Sequence, residues 1–269
     1  MSLDAELQRV DELLVRGSRG DALAAVKALC RQYPDEMVVF HRLGILSFEA
    51  GDVNGGLQAL ERAVTLAPRN PSVLNDLGAA LQMQHRLSEA EAVLRRAANV
   101  QPPYPPAHFN LGRVLLEQGR PGMAVAALKP LVQIAPDMAP VHWLLSRALK
   151  QLREDKSAES HFREALRLEP DNTQGRFQLA ELLQWQDRQM EAIVELDHCL
   201  RVEPTHRQAL ILKGLCHQEL GDKDASLSAY RSVLRLEPAL YYRVVKTIIG
   251  GRRGQFILRR SRLRHLLLS

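Results

Sequence analysis

The sequence has few of the residues that build catalytic, metal or disulfide sites. It contains three cysteines, Cys30, Cys199 and Cys216, and no C-x-x-C pair. No H-E-x-x-H zinc motif, G-x-S-x-G nucleophile motif or glycine-rich phosphate loop occurs. Since unpaired cysteines are typical of a reducing compartment, we expect a cytoplasmic location. The same absences predict a protein that is not an enzyme, holds no metal or cofactor and has no small-molecule substrate.

Long apolar runs are also missing. No apolar stretch reaches the ~18 residues that a membrane-spanning helix needs. The first ten residues, MSLDAELQRV, include early acids and lack the apolar core of a signal peptide. Aromatic residues form only 5% of the chain, whereas apolar residues form 46% and charged residues 25%. That balance is typical of a soluble folded protein, and it makes the position of each aromatic residue informative.

Proline, in contrast, recurs at a fixed interval. Seven prolines follow one another at steps of 34 residues. Such a register indicates an internal repeat, because chance does not place one residue type at a constant interval over most of a chain. Proline cannot continue a helix and disfavours helical angles in the residue before it, so each proline predicts a helix end. The seven are Pro34, Pro68, Pro102, Pro136, Pro170, Pro204 and Pro238.

The clearest copy of the repeat runs from residue 71 to residue 104 and reads PSVLNDLGAALQMQHRLSEAEAVLRRAANVQPPY. The spacing of Leu74 and Leu77 predicts one helix face, and that of Ala90 and Leu94 predicts a second helix. Ala90 belongs to a column of small residues. Two antiparallel helices approach closely only where side chains are small, so this column predicts the contact between the helices of a repeat. Its members are Ala22, Gly56, Ala90, Ala124, Ala158, Ala192 and Ser226.

The repeat resembles the tetratricopeptide repeat, a helix–turn–helix unit of 34 residues. The family's Leu-Gly pair stands in three copies, as Leu43-Gly44, Leu77-Gly78 and Leu111-Gly112. The resemblance implies an all-α fold, a right-handed α-solenoid of about seven repeats over residues 3–238. A basic C-terminal capping helix and tail then occupy residues 239–269. The predicted repeats are about 3–36, 37–70, 71–104, 105–138, 139–172, 173–206 and 207–238.

The C-terminal tail, residues 239–269, differs from the repeats in charge. It carries eight basic residues and no acid, and since the whole chain carries +5, the rest of the chain carries −3. Val244 and Ile248 belong to an apolar row that predicts a helix packed on the end of the solenoid. The basic block is either part of this cap or a docking site for a membrane surface or an acidic protein, in preference to nucleic acid. Its arginines are Arg252, Arg253, Arg259, Arg260, Arg262 and Arg264.

A second face of the first helix in each repeat, here called the first-helix face, lies roughly 140° from the core face by the 3.6-residue period. In the family this face lines a concave groove that holds peptides, so the resemblance implies that role here. Aromatic and basic residues on a face that the repeat does not need for packing indicate a recognition surface. The alternative is that these aromatics pack against the neighbouring second helix. The predicted partner-binding residues are His41, Asn75, Phe109, Arg113, Trp143, Arg147, Lys150, Phe177 and Trp185.

Together these observations predict a scaffold for protein–protein interaction that binds a peptide or protein segment in the concave groove of the superhelix. One alternative is a recruitment or assembly factor that docks on an anionic surface through the basic tail. Another is a non-catalytic regulatory subunit of an enzyme complex.

Overall fold

A computed structural model describes residues 2–250 and Leu267. Over these residues the fold is all α, with fifteen α-helices, one 3-10 turn at Pro238–Leu240 and no strand. No helix among them is long and apolar enough to cross a membrane. The helices are α1 Leu3–Val15, α2 Arg19–Gln32, α3 Met37–Glu49, α4 Val53–Leu66, α5 Pro71–Met83, α6 Leu87–Ala98, α7 Pro105–Glu117, α8 Pro121–Ile134, α9 Ala139–Gln151, α10 Asp155–Leu168, α11 Thr173–Trp185, α12 Gln189–Val202, α13 Arg207–Glu219, α14 Lys223–Leu236 and α15 Tyr241–Gly250.

The first fourteen helices form seven consecutive pairs, and each odd-numbered helix begins 34 residues after the previous one. The chain divides into two compact units, Met1–Pro136 with α1–α8 and Asp137–Ser269 with α9–α15. Within each unit the two helices of every pair pack on each other, and the second helix of a pair packs on the first helix of the next pair. The predicted all-α repeat solenoid is therefore confirmed. The predicted boundary between solenoid and tail at residue 238 stays a prediction.

Local sequence sets where the first helices begin. The Asn70 side chain accepts hydrogen bonds from the backbone N–H groups of Ser72 and Val73, at 3.0 and 3.2 Å. It thereby satisfies donors that the first turn of α5 would otherwise leave unpaired. Pro71 and Pro105 occupy the first position of α5 and α7, where the missing N–H of proline costs nothing.

The two helices of a repeat touch where the Leu-Gly pairs lie. A β-carbon placed on Gly78 would lie 2.4 Å from Cγ of Leu94, and one placed on Gly112 would lie 2.5 Å from Cγ of Leu128. Both leucines are fully buried. The close approach of the second helix thus requires the glycine of the Leu-Gly pair. The column of small residues that contains Ala90 is buried as well.

The last repeat is covered by α15, which packs on α13. Val244 and Ile248 of α15 are buried in a cluster with Tyr230 and Leu267. The side-chain amide of Gln218 donates a hydrogen bond of 2.9 Å to the carbonyl oxygen of Ile248. The predicted capping helix is therefore confirmed. The tail arginines predicted as a docking site, Arg252, Arg253, Arg259, Arg260, Arg262 and Arg264, lie outside the described residues.

The glycine contact can be tested with two alanine substitutions in the same helix pair. Gly112→Ala should lower the free energy of unfolding by about 1–3 kcal/mol, because the added methyl overlaps a buried leucine. Gly122→Ala, in α8, meets no atom within 4 Å, and it should stabilise by at most about 1 kcal/mol through helix propensity. Urea unfolding of both variants measures the difference. Equal effects would show that the helices do not meet at Gly112.

Candidate functional site

In the first compact unit, the first-helix face carries a continuous polar network. Nε2 of His41 lies 2.7 Å from Oδ2 of Asp76, and Nδ2 of Asn75 donates to Oδ1 of the same aspartate at 3.0 Å. Asn110 then donates to Oδ1 of Asn75 at 2.8 Å, and Arg113 donates to Oδ1 of Asn110 at 3.4 Å. The network joins α3, α5 and α7, and so brings together three of the predicted site residues.

Most of this network is occupied by its own hydrogen bonds. Asn75 is only 6% exposed, so its amide holds neighbouring helices in register more than it offers contacts to a partner. His41 and Arg113 at its two ends are half-buried, as is Phe109. A ligand could reach these three residues without breaking the central bonds.

Asp76 was missed by the sequence analysis, and Asn110 was not among its predicted site residues. The reason is a matter of register. The columns of that analysis join residues 34 apart, whereas the hydrogen bonds between successive first helices join residues 35 apart, as in His41–Asp76 and Asn75–Asn110. The second unit shows the same offset, since Gln184 donates to Glu219 at 2.9 Å. Polar residues spaced by 35 positions would have been the signal.

In the second unit, two of the predicted aromatics contribute to packing. The Trp143 ring lies edge-on to that of Phe162 in α10, with 5.4 Å between ring centres. A β-carbon on Gly175 of α11 would lie 3.2 Å from the Trp143 ring. Phe177 is 8% exposed, and its ring centre lies 5.3 Å from that of His206. The sequence analysis treated the first-helix face as one that the repeat does not need for packing. Trp143 and Phe177 do pack against neighbouring side chains, so they depart from that expectation.

Three other predicted residues, Arg147, Lys150 and Trp185, line a single pocket of about 420 Å³ between α9, the turn after it and α11. Trp185 remains 53% exposed. An exposed tryptophan beside basic groups is the composition expected of a protein-binding site. The other lining residues are Gln151, Arg153, Asp155, Gln178, Glu181 and Leu182.

Some of the charged side chains that line this pocket form ion pairs and others do not. Nζ of Lys150 donates to a carboxylate oxygen of Glu181 at 3.1 Å. The side chains of Arg147 and Arg153 have no hydrogen bond or ion pair with any described residue. Each guanidinium carries five N–H donors and no acceptor, so the pocket presents donors suited to carboxylates and carbonyl oxygens.

A histidine pair lies between α9 and α10. Nδ1 of His142 and Nδ1 of His161 are 2.9 Å apart. Burial lowers the pKa of His161, the nearby His142 lowers it further, and Glu164 on the next turn of α10 opposes them. His142 of the first helix thus faces a residue of the second helix of its own repeat. No group of three metal-ligating side chains occurs within residues 2–250.

This pair makes a prediction about pH. Because the pKa of His161 is lower in the folded chain than its ordinary value of about 6.5, the unfolded chain binds the proton first. Stability should therefore fall as the pH drops below about 6.5. His161→Gln should reduce the decrease in Tm between about pH 7.5 and about pH 5. His85→Gln, at an exposed turn, serves as the control, and equal pH profiles for wild type and His161→Gln would contradict the prediction.

Two of the three cysteines, Cys199 and Cys216, have buried thiols. Burial raises the pKa of the Cys199 thiol to about 11 and that of the Cys216 thiol to about 12. Both side chains are fully buried. A thiol that is neither ionised nor accessible is a poor nucleophile, so these two residues fill the core.

Comparison with protein families agrees with the helical pairs. Three models described as tetratricopeptide repeat match the chain, one at residues 7–71 and 109–173, one at 47–112 and one at 208–240. Together these matches span most of the seven repeats. No curated protein sequence matches the chain significantly.

Solved structures show the same fold at low identity. The C-terminal part of a TPR repeat-containing protein from Cytophaga hutchinsonii is 16% identical, with a TM-score of 0.73 over 90% of this chain and 98% of that one. YrrB, described as a TPR protein with an unusual peptide-binding site, is 16% identical, with a TM-score of 0.61 over 69% of this chain and 96% of its own. MamA from Desulfovibrio magneticus RS-1 is 19% identical, with a TM-score of 0.60 over 63% and 96%.

Proposed function

Because this chain belongs to the tetratricopeptide repeat family, a family of protein-interaction scaffolds, we propose that it holds a peptide segment of a partner protein against its first-helix faces. The observation that carries the proposal is the pocket that Arg147, Lys150 and Trp185 line. It combines an exposed aromatic surface with guanidinium donors that no described residue occupies. No catalytic role is proposed.

Two physical features support binding at this pocket. Tryptophan and arginine are enriched among residues that dominate binding energy, because each combines a large contact area with a directional donor. An extended peptide also needs partners for its carbonyl oxygens, and Arg147 on an exposed position of α9 can donate to them. YrrB, one of the structural neighbours, has a peptide-binding site on the same fold, which supports the proposal by analogy only.

In the first unit, the ends of the polar network supply a second set of contacts. His41, Phe109 and Arg113 are half-buried and lie on α3 and α7. We assign them a supporting role, in which a peptide backbone or polar side chain adds hydrogen bonds to a network that already exists. Asn75, Trp143 and Phe177 shape the surface by packing and contribute less of their own area to a partner.

The basic tail supplies a second candidate function, recruitment to an anionic membrane surface or an acidic protein. The observation that favours it is the eight basic residues of the tail beside the net −3 of the rest of the chain. Electrostatic docking of this kind weakens steeply with salt, whereas binding through a desolvated aromatic contact does not. Salt dependence should therefore be steeper for the tail, with its eight basic residues, than for the pocket, with its two unpaired guanidinium groups.

The proposed location is the cytoplasm. Cys30, Cys199 and Cys216 are free thiols, and oxidising compartments favour disulfides over free thiols in secreted proteins. This placement agrees with a role in holding other intracellular proteins together.

The scaffold proposal predicts a large effect of a single exposed ring. Trp185→Ala should weaken binding of a partner captured from the source cells by tenfold or more, as expected for a central aromatic anchor. Val194→Ala, an equally exposed residue on the second helix α12 (54% against 53%), should leave affinity unchanged. Isothermal titration calorimetry with the purified partner measures both values.

Replacing the six tail arginines by glutamine provides the contrasting arm, because it keeps Leu267, which the capping cluster buries. If binding survives these substitutions and is lost in Trp185→Ala, the first-helix face is the site. If binding disappears with the arginines while Trp185→Ala binds normally, the tail is the docking site and the pocket proposal is wrong.

A further inference from the structure

The turn between the two helices of each repeat requires one residue with a left-handed backbone. Four turns use glycine there, with φ between 71° and 83°. Three use other residues, with φ between 56° and 64°. A side chain in this conformation costs roughly 1 kcal/mol or more relative to glycine. The glycines are Gly17, Gly51, Gly119 and Gly221, and the others are His85, Arg153 and Asp187.

Arg153 is the least expected of these residues. Aspartate and histidine are several-fold enriched in the left-handed region among residues other than glycine, and Asp187 and His85 follow that tendency. Arginine has no such local advantage. Strained backbone positions of this kind cluster at binding sites, where surrounding structure holds them in place.

The position of Arg153 fits that pattern. Its side chain lines the same pocket as Arg147 and Trp185, and it has no hydrogen bond or ion pair with any described residue. Two carboxylates also line the pocket. Glu181 is paired with Lys150. Asp155 lies in the first turn of α10, where the helix dipole stabilises a negative charge. The pocket therefore retains two guanidinium groups and an excess of positive charge.

We propose that Arg147 and Arg153 together bind a carboxylate of an acidic peptide segment, with an apolar side chain next to that carboxylate resting on Trp185. This inference rests on the proposed function and names the chemistry of its ligand. A guanidinium matches a carboxylate with two parallel N–H···O bonds, and lysine could not replace it in that geometry. The proposed site then gives Arg153 a role at a turn where stability alone would favour glycine.

The test separates stability from binding. The probe is a displayed library of random twelve-residue peptides, selected on the immobilised full-length chain and followed by synthesis of the enriched sequences. Enriched peptides should contain Asp or Glu beside an apolar residue. Arg153→Gly should keep or raise the Tm and weaken their binding roughly tenfold or more, since a charge-assisted hydrogen bond is lost.

Matched variants make the result specific. Asp187→Gly relieves the same backbone conformation one repeat later, so it should raise the Tm and leave affinity unchanged. Arg147→Gln should weaken binding like Arg153→Gly. Replacing the peptide's Asp or Glu by Asn or Gln should weaken binding to the wild type and have little effect on binding to Arg153→Gly. If Arg153→Gly itself lost stability, Arg153→Asn would keep a residue tolerated in this turn and remove the charge.

Several outcomes would overturn the proposal. Enriched peptides without acidic residues, or unchanged affinity of Arg153→Gly, would refute the carboxylate site and leave the scaffold function intact. Equal competition by a single-stranded oligonucleotide would show a general polyanion site instead. If no peptide were enriched and no partner protein bound the full-length chain, the scaffold function itself would fail.

Discussion

In the repeats that carry the Leu-Gly pair, the contact between the glycine on the first helix and a leucine on the second is the constraint on which the packing of the repeat depends. Between Gly78 and Leu94, and between Gly112 and Leu128, there is no room for even one added carbon. This close approach fixes the distance and angle of the two helices in a repeat. A repeat of fixed geometry can bury its remaining apolar faces only against a neighbour of the same kind, and that requirement explains why the 34-residue unit recurs.

Stacking then creates the first-helix face. Successive first helices lie side by side, and their polar residues meet across the seam, as in Asn75 with Asn110 in the first unit and Gln184 with Glu219 in the second. Buried polar groups of this kind need partners, so these pairs also fix the register between repeats. Much of the face is thus already in use, and among its described residues Trp185 and Arg147 are exposed to a partner while His41, Phe109 and Arg113 are half-buried.

The repeats, their small-residue column and the capping helix could be predicted from the sequence, because each depends on residues of one physical kind recurring at a fixed interval. The site was predicted less completely. Columns spaced by 34 residues treat every repeat as an identical copy, whereas side chains from neighbouring copies meet with an offset of one residue. The edge-on contact between Trp143 and Phe162 also depends on ring orientation, and the left-handed turn at Arg153 depends on backbone geometry that arginine does not reveal.

Residues that follow the repeat pattern contribute to stability, whereas the proposed binding pocket contains a residue that departs from it. Residues that obey the repeat, such as Gly112 and Ala90, are fixed by packing and carry no information about a partner. The proposed peptide pocket lies where a repeat departs from its own pattern without gaining stability. Arg153 is such a departure, since glycine occupies its place in four other turns, and it lies in the same pocket as the exposed Trp185. Because the exposed Trp185 and the strained, unpaired Arg153 share one pocket, the proposed binding site accounts for both with one cause.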